Sequence, residues 1–235
     1  MRLDKYISNA SDYSRSQVKK LVKQALVEVD GHIATNPAAT IAPSSKVCLN
    51  GELITMPGPR YFMLNKPTGV VSATKNSEHP TAIDLIDAPR SELLQIAGRL
   101  DIDATGLLLL TDNGQWNHAV TSPRNHCQKT YQVTVAEPLN ANLRQKFLDG
   151  IWLEGEKRRC LPAALEIEDD HHALLTIREG KYHQVKRMFA AQGNLVTALH
   201  RTQIGTITLD PELAPGNYRA LTKAEISLGS LEGTK

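Results

Sequence analysis

The residues best able to do chemistry crowd one short stretch, Gly98-Arg99-Leu100-Asp101-Ile102-Asp103-Ala104-Thr105-Gly106, which runs straight into Leu107-Leu108-Leu109-Leu110. A carboxylate in such a loop is held by an apolar scaffold while it faces a cleft. Arg99 stands two residues before Asp101. In an extended segment the two side chains point the same way, and the cation would keep the carboxylate ionised. Three plainer readings fit the same spacing: an Asx-capped turn, an Asp101/Asp103 site for a hard cation, and a structural ion pair. A second stretch, Arg178-Glu179-Gly180-Lys181-Tyr182-His183-Gln184-Val185-Lys186-Arg187-Met188-Phe189, reads as a glycine turn feeding a helix with Lys186 and Arg187 in its first turns. A lone His183 beside Gln184 reads there as structural. The third stretch, Lys129-Thr130-Tyr131-Gln132-Val133-Thr134-Val135, alternates as a strand does. Tyr131 is then either a core residue or an aromatic plate under a nucleobase, a stack worth about 1–3 kcal/mol.

Composition narrows what these residues serve. In 235 residues, 41% are hydrophobic, enough for a sizeable core, and 27 basic against 25 acidic residues leave a formal charge of +2. That excludes an acidic disordered tail, a collagen-like repeat and a coiled coil. No apolar run approaches the roughly 20 residues of a membrane span, and the polar start Met1-Arg2-Leu3-Asp4-Lys5 lacks the apolar core of a secretory signal. Cys48, Cys127 and Cys160 are scattered and never form a C-x-x-C pair, which argues against a disulfide framework or a cysteine zinc site and for a cytoplasmic protein with reduced thiols. Neither a Walker-type loop nor a G-x-G-x-x-G fingerprint is present. Charge is uneven: residues 1–60 hold eight basic and five acidic side chains, and the remainder is close to neutral. The front of the chain is therefore the expected contact with a polyanion.

The elements that must position these groups are legible in the periodicity. Leu3, Tyr6, Ile7 and Ala10 follow one face of a helix, and Ser14-Arg15-Ser16-Gln17 has the form of a capping box opening a second. On that second helix Val18, Leu21, Val22 and Ala25 share a face, while Arg15, Lys19 and Lys23 line up on another with Lys20 beside them. Such a row matches a phosphate backbone, and equally a solvated helix face. Asp30-Gly31 and Asn50-Gly51, each between alternating residues, predict two hairpins. Met56-Pro57-Gly58-Pro59 is a stiff link, giving an expected division into residues 1–56, a linker at 57–60, and residues 61–235. Beyond it, residues 61–64, 107–111, 130–136 and 173–178 read as strands and 143–149 and 185–192 as helices. A strand-rich order with few βαβ units predicts an α+β fold: a small helix-hairpin domain followed by a larger domain with a mixed, mainly antiparallel sheet.

The first unit resembles the small RNA-binding domain named after ribosomal protein S-four, which holds structured RNA with its basic helix. Gly98-Arg99-Leu100-Asp101 with Thr105-Gly106-Leu107-Leu108 is similar to the catalytic-aspartate motif of the pseudouridine synthases. Asn65-Lys66-Pro67-Thr68-Gly69 resembles that family's Lys-Pro motif, Lys129-Thr130-Tyr131 its tyrosine strand, and residues 180–188 its C-terminal basic motif. Residues 58–67, Asp112-Asn113-Gly114-Gln115-Trp116 and Ser122-Pro123-Arg124-Asn125-His126-Cys127 are similar to those members that act on one uridine of 16S rRNA, uridine-516 by that resemblance. The resemblance implies an isomerase that needs no cofactor and no metal. Asp101 would be the essential carboxylate, acting on C1′ as nucleophile or on the 2′-proton as base. Tyr131 would stack on the uracil, Lys186 would pair with the carboxylate, and Arg99 would contact RNA or fill the place of the flipped base. Arg15, Lys19, Lys20 and Lys23 would anchor phosphates. The implied partner is 16S rRNA or an assembling small-subunit particle, met by a monomer with no membrane contact. Competing expectations are a non-catalytic assembly factor, a synthase acting at another rRNA site, and a metal-dependent glycosyl-transfer enzyme using Asp101 and Asp103.

Overall fold

The computed structural model describes residues 1–56, 58–122 and 127–231. Pro57 of the expected linker, and Pro123 to His126 of the motif around Ser122, lie outside the described residues. The chain divides into two compact units, Met1–Gly58 and Pro59–Lys235.

The first unit contains α1 (Leu3–Ala10), α2 (Arg15–Lys23), β1 (Val27–Val29), β2 (His32–Ile33), β3 (Val47–Leu49) and β4 (Glu52–Ile54). The capping box at the start of α2 is present in full: Gln17 N–H donates to Ser14 Oγ, and Ser14 N–H donates to Gln17 Oε1 at 2.8 Å. Both hairpin turns place their Asx and glycine at positive φ, Asp30 and Gly31 at 52° and 81° and Asn50 and Gly51 at 53° and 80°. That backbone twists with the strands it joins. The strands form an antiparallel sheet in the order β2-β1-β3-β4. Leu3, Ile7, Val18, Val22, Val27 and Val47 close a core between helices and sheet.

The second unit follows as β5 (Tyr61–Lys66), β6 (Gln95–Ala97), β7 (Thr105–Thr111), α3 (Gly114–Thr121), β8 (Lys129–Val135), α4 (Leu143–Leu148), β9 (Ala164–Ile167), β10 (His172–Ile177), α5 (Gln184–Ala190), β11 (Val196–Ile204), β12 (Ile207–Thr208), β13 (Tyr218–Ala220) and α6 (Lys223–Leu231). Seven strands run in the order β13-β5-β7-β11-β8-β10-β9, with β6 added on β7 and β12 on β11. Every pairing is antiparallel except β7 with β11. The four leucines of β7 explain how the sheet is covered. Leu108 and Leu110 belong to a core that takes in Phe147 of α4 and Met188 and Phe189 of α5. Leu107 and Leu109 belong to a second core, with Trp116 and Val120 of α3. A strand buried on both faces reads as a continuous apolar run, as this one does.

The last helix is pinned by charge. Arg219 of β13 donates to both oxygens of Glu225, at 2.9 and 3.0 Å, and to Asp210 at 2.7 Å, while Thr222 N–H donates to Glu225. The Arg219 guanidinium holds the Glu225 carboxyl down to about 2, against the opposing effect of burial. A carboxyl with a depressed folded pKa stabilises above its unfolded value, near 4.5, and loses that contribution as pH falls towards 2. Glu225→Gln is therefore expected to cost about 1–3 kcal/mol at pH 7. The gap between variant and wild type should close between pH 5 and pH 2 in urea-unfolding curves. A gap independent of pH would remove the ion pair as its cause.

Candidate active site

The turn joining β6 to β7 carries Asp101, and its backbone is fastened along its length. Five consecutive carbonyls each accept a hydrogen bond. Those of Gly98 and Arg99 take the Arg201 guanidinium at 2.7 and 3.3 Å. That of Leu100 takes the Ser72 hydroxyl at 2.7 Å, that of Asp101 the Ala104 N–H at 3.2 Å, and that of Ile102 the Gly69 N–H at 2.9 Å. Leu100 N–H returns to Ser72 Oγ at 3.0 Å. A loop with its polar groups so fully engaged holds a side chain in one geometry.

Two buried cations do part of this fastening. Arg201, 1% exposed, also donates Nε–H to Leu107 at 2.8 Å. Lys66, fully buried, donates its ammonium to the carbonyls of Val70 at 2.7 Å and Pro67 at 2.9 Å, beside the Ile102 carbonyl. Burial pushes the Lys66 ammonium down to about 8, even though Asp103 and Asp101 pull it the other way.

The carboxylates differ in their surroundings. Asp101 is 29% exposed, with Oδ1 3.5 Å from His183 Nε2 and Oδ2 3.7 Å from Lys186 Nζ. Asp103 is 63% exposed and takes the same lysine much closer, at 2.5 and 2.7 Å, and this hydrogen bond holds its carboxyl below the ordinary range. Lys186 thus bridges both carboxylates and binds the second more tightly. The expected pairing of Arg99 with Asp101 does not occur. Arg99 and Asp101 flank the buried Leu100 and line one cleft, as alternation requires, but the Asp101 carboxylate is met by His183 and Lys186 rather than by Arg99. Arg99 is exposed and lines the same cleft unpaired with Asp101.

That cleft, about 850 Å³, is lined by Arg99, Asp101, Asp103, Tyr131, His183 and Lys186, with Arg201 in its floor. It is large enough for a nucleotide. Tyr131, on β8 opposite Arg201 of β11, is 6% exposed and packs in the core. The Arg201 guanidinium carbon lies 5.9 Å from its ring centre. The Tyr131 hydroxyl makes no hydrogen bond among the described residues. The core reading of this tyrosine therefore holds, and the residue also lines the cleft. Opposite, residues 179–187 form a tied rim. Gln184 donates to Glu179 at 3.0 Å, Arg187 binds Glu156 and the Glu154 carbonyl, and Lys181 N–H donates to Gln184 at 2.9 Å.

In the first unit Arg15, Lys19, Lys20 and Lys23 are all exposed on α2, while Val18 and Val22 face its core. The side chains of Lys19, Lys20 and Lys23 make no hydrogen bond or ion pair among the described residues. Sequence reasoning missed Arg201 and gave Lys66 no role beyond its motif. Arg201 carries a signal nonetheless: it stands two residues after the buried Leu199, in phase with the core face of β11.

A family model described as RNA pseudouridylate synthase matches residues 60–191, and an S4 domain model matches residues 1–47. The chain is 50% identical over 228 residues to the ribosomal small subunit pseudouridine synthase A of Yersinia pestis, covering 97% of each chain. It is also 50% identical to the protein of that name from Escherichia coli (strain K12), covering 97% of this chain and 99% of that one. A solved structure described as a pseudouridylate synthase superimposes with a TM-score of 0.71 at 46% identity, over 97% of this chain and 99% of that one. Half of its residues identical to those of named synthases over nearly its whole length, and a family model spanning the Asp101 loop, Tyr131 and Lys186, leave one assignment: the chain belongs to the RNA pseudouridylate synthase family.

Proposed function

We propose that the protein isomerises one uridine of 16S rRNA to pseudouridine, at uridine-516, on free RNA or on an assembling small subunit. The relatives' names support the small-subunit substrate, and the motif resemblance supports the position. The observation that carries the chemistry is Asp101: a partly exposed carboxylate on a loop with five consecutive engaged carbonyls, at the edge of a cleft lined by Tyr131. Asp101 acts on the ribose. Tyr131 receives the uracil, Lys186 pairs with the carboxylate, and Arg99 contacts the RNA at the cleft mouth. Breaking N1–C1′ and forming C5–C1′ changes neither oxidation state nor composition, so the reaction calls for no redox cofactor or nucleotide. Turning the base out of its stack costs a few kcal/mol, offset by phosphate anchoring elsewhere. In this reading residues 1–56 anchor through Arg15, Lys19, Lys20 and Lys23, residues 57–60 link, and residues 61–235 catalyse as a monomer.

The test is a map of pseudouridine in 16S rRNA from cells with and without the protein, beside the purified protein acting on an unmodified transcript. Appearance of one pseudouridine at the proposed position supports the reading. Identical maps, or modification elsewhere, overturn it. Lys19→Ala with Lys23→Ala should weaken transcript binding and flatten its salt dependence by about 0.7 per lost contact on single strands, more on duplex. An unchanged slope would make this helix face merely solvated.

A further inference from the structure

We infer that His183 is the base that removes the C5 proton in the last step of the isomerisation. The inference rests on the proposed role of Asp101 at the ribose. When N1–C1′ breaks, the uracil leaves with the electron pair and becomes nucleophilic at C5. When C5 bonds to C1′, that carbon carries both the sugar and its original hydrogen. The hydrogen leaves as a proton, its bonding pair restores the C5–C6 double bond, and N1 takes a proton from water. The product is neutral and its composition unchanged.

Geometry limits which group receives that proton. C5 ends bonded to C1′, the atom beside Asp101, so the base must stand next to the Asp101 carboxylate. His183 Nε2 is 3.5 Å from Asp101 Oδ1. Several other side chains of the cleft are engaged or cannot accept a proton. Both oxygens of Asp103 take Lys186, Glu179 accepts from Leu161 N–H and Gln184, and the arginines and lysines of the cleft are donors. A phenol such as Tyr131 must first lose a proton of its own. Imidazole accepts one near neutral pH without that step. The imidazolium so formed faces Asp101, which is ionised again once the sugar has moved to carbon. His183 is 39% exposed, so it can pass the proton to solvent.

The ring is also held in place. His183 sits at φ +46° and ψ +37°, in the left-handed region. The Tyr182 ring stacks on it at 3.8 Å between centroids and 19° between planes. The turn beneath is closed by Gln184 N–H donating to the Lys181 carbonyl at 3.2 Å. A strained, buttressed residue 3.5 Å from a reactive carboxylate suits a functional role, where the sequence alone suggested a structural one.

His183→Asn is the variant of choice, because asparagine accepts left-handed backbone and offers no basic nitrogen. Single-turnover pseudouridine formation would be measured on transcripts made with uridine or with 5-deuterouridine. The variant should react about 100-fold more slowly than wild type. Its rate should also show a deuterium effect larger than that of wild type, and added imidazole should restore part of it. A variant as fast as wild type overturns the assignment, and so does a slow one that treats both transcripts alike. Should His183→Asn fail to fold, His183→Gln is read by the same criteria. If wild type itself forms no pseudouridine, the proposed function falls instead.

Discussion

Asp101→Asn is expected to lower pseudouridine formation by about 10⁴-fold or more, with little change in stability or RNA affinity. The asymmetry follows from how the loop is built. Its shape depends on carbonyls bound by Arg201, Ser72, Ala104 and Gly69, none of which touches the Asp101 carboxylate through those bonds. Among the described residues the carboxylate makes two long contacts, at 3.5 and 3.7 Å, so the amide fits without breaking a short bond to any of them. Asp103→Asn provides the contrast. Lys186 would lose its close partner and turn to Asp101, 3.7 Å away. Activity should fall by about tenfold or less, since an exposed pair contributes little by itself. Both variants would be assayed at single turnover on one transcript, with near-ultraviolet circular dichroism as the check on folding. Retained activity in Asp101→Asn, or greater damage from Asp103→Asn, would move the chemistry to the second carboxylate.

What the sequence revealed of this arrangement follows the range of the forces involved. Capping boxes and Asx-Gly hairpins are local: Ser14 with Gln17, Asp30-Gly31 and Asn50-Gly51 stand in the structure as their spacing requires. The four-leucine run of β7 announced a strand, and the reason for its length, burial on both faces, needed the two helical layers to be seen. The long-range features were hidden. The parallel register of β7 with β11 brings together residues 106 and 201, and nothing local to either encodes it. Lys66 was visible in its motif, but its burial against three carbonyls was not. Alternation put Arg99 and Asp101 on the same side of Leu100, but it could not show that residues distant in sequence meet the carboxylate first. The groups that meet Asp101, the His183 ring and the Lys186 ammonium, come from more than eighty positions away.

Gly106→Ala tests how far the fold and the site are one construction. Gly106 lies at φ +99°, where a side chain is strained in any surroundings. A Cβ there would stand 2.3 Å from the Arg201 carbonyl oxygen and 2.8 Å from its nitrogen. Both are backbone atoms of the neighbouring strand, so no rotamer change relieves the clash, and β7 must separate from β11. The expected cost is about 4 kcal/mol, from strain and lost strand pairing together. The damage would not stop at stability. Arg201 is the residue whose guanidinium holds the carbonyls of Gly98, Arg99 and Leu107, so displacing its backbone releases the loop that carries Asp101. Even well below its lowered unfolding temperature, Gly106→Ala should therefore lose activity, by about 100-fold for a displacement near 1 Å. Gly114→Ala is the matched control: its φ is not in the left-handed region, nothing lies within 4 Å of the added carbon, and it opens α3. It should stay within about 0.5 kcal/mol of wild type and keep full activity. Thermal unfolding and single-turnover rates of the two variants decide the matter. A destabilised Gly106→Ala protein with undiminished activity when folded would mean that the aspartate loop holds its shape without the strand beneath it.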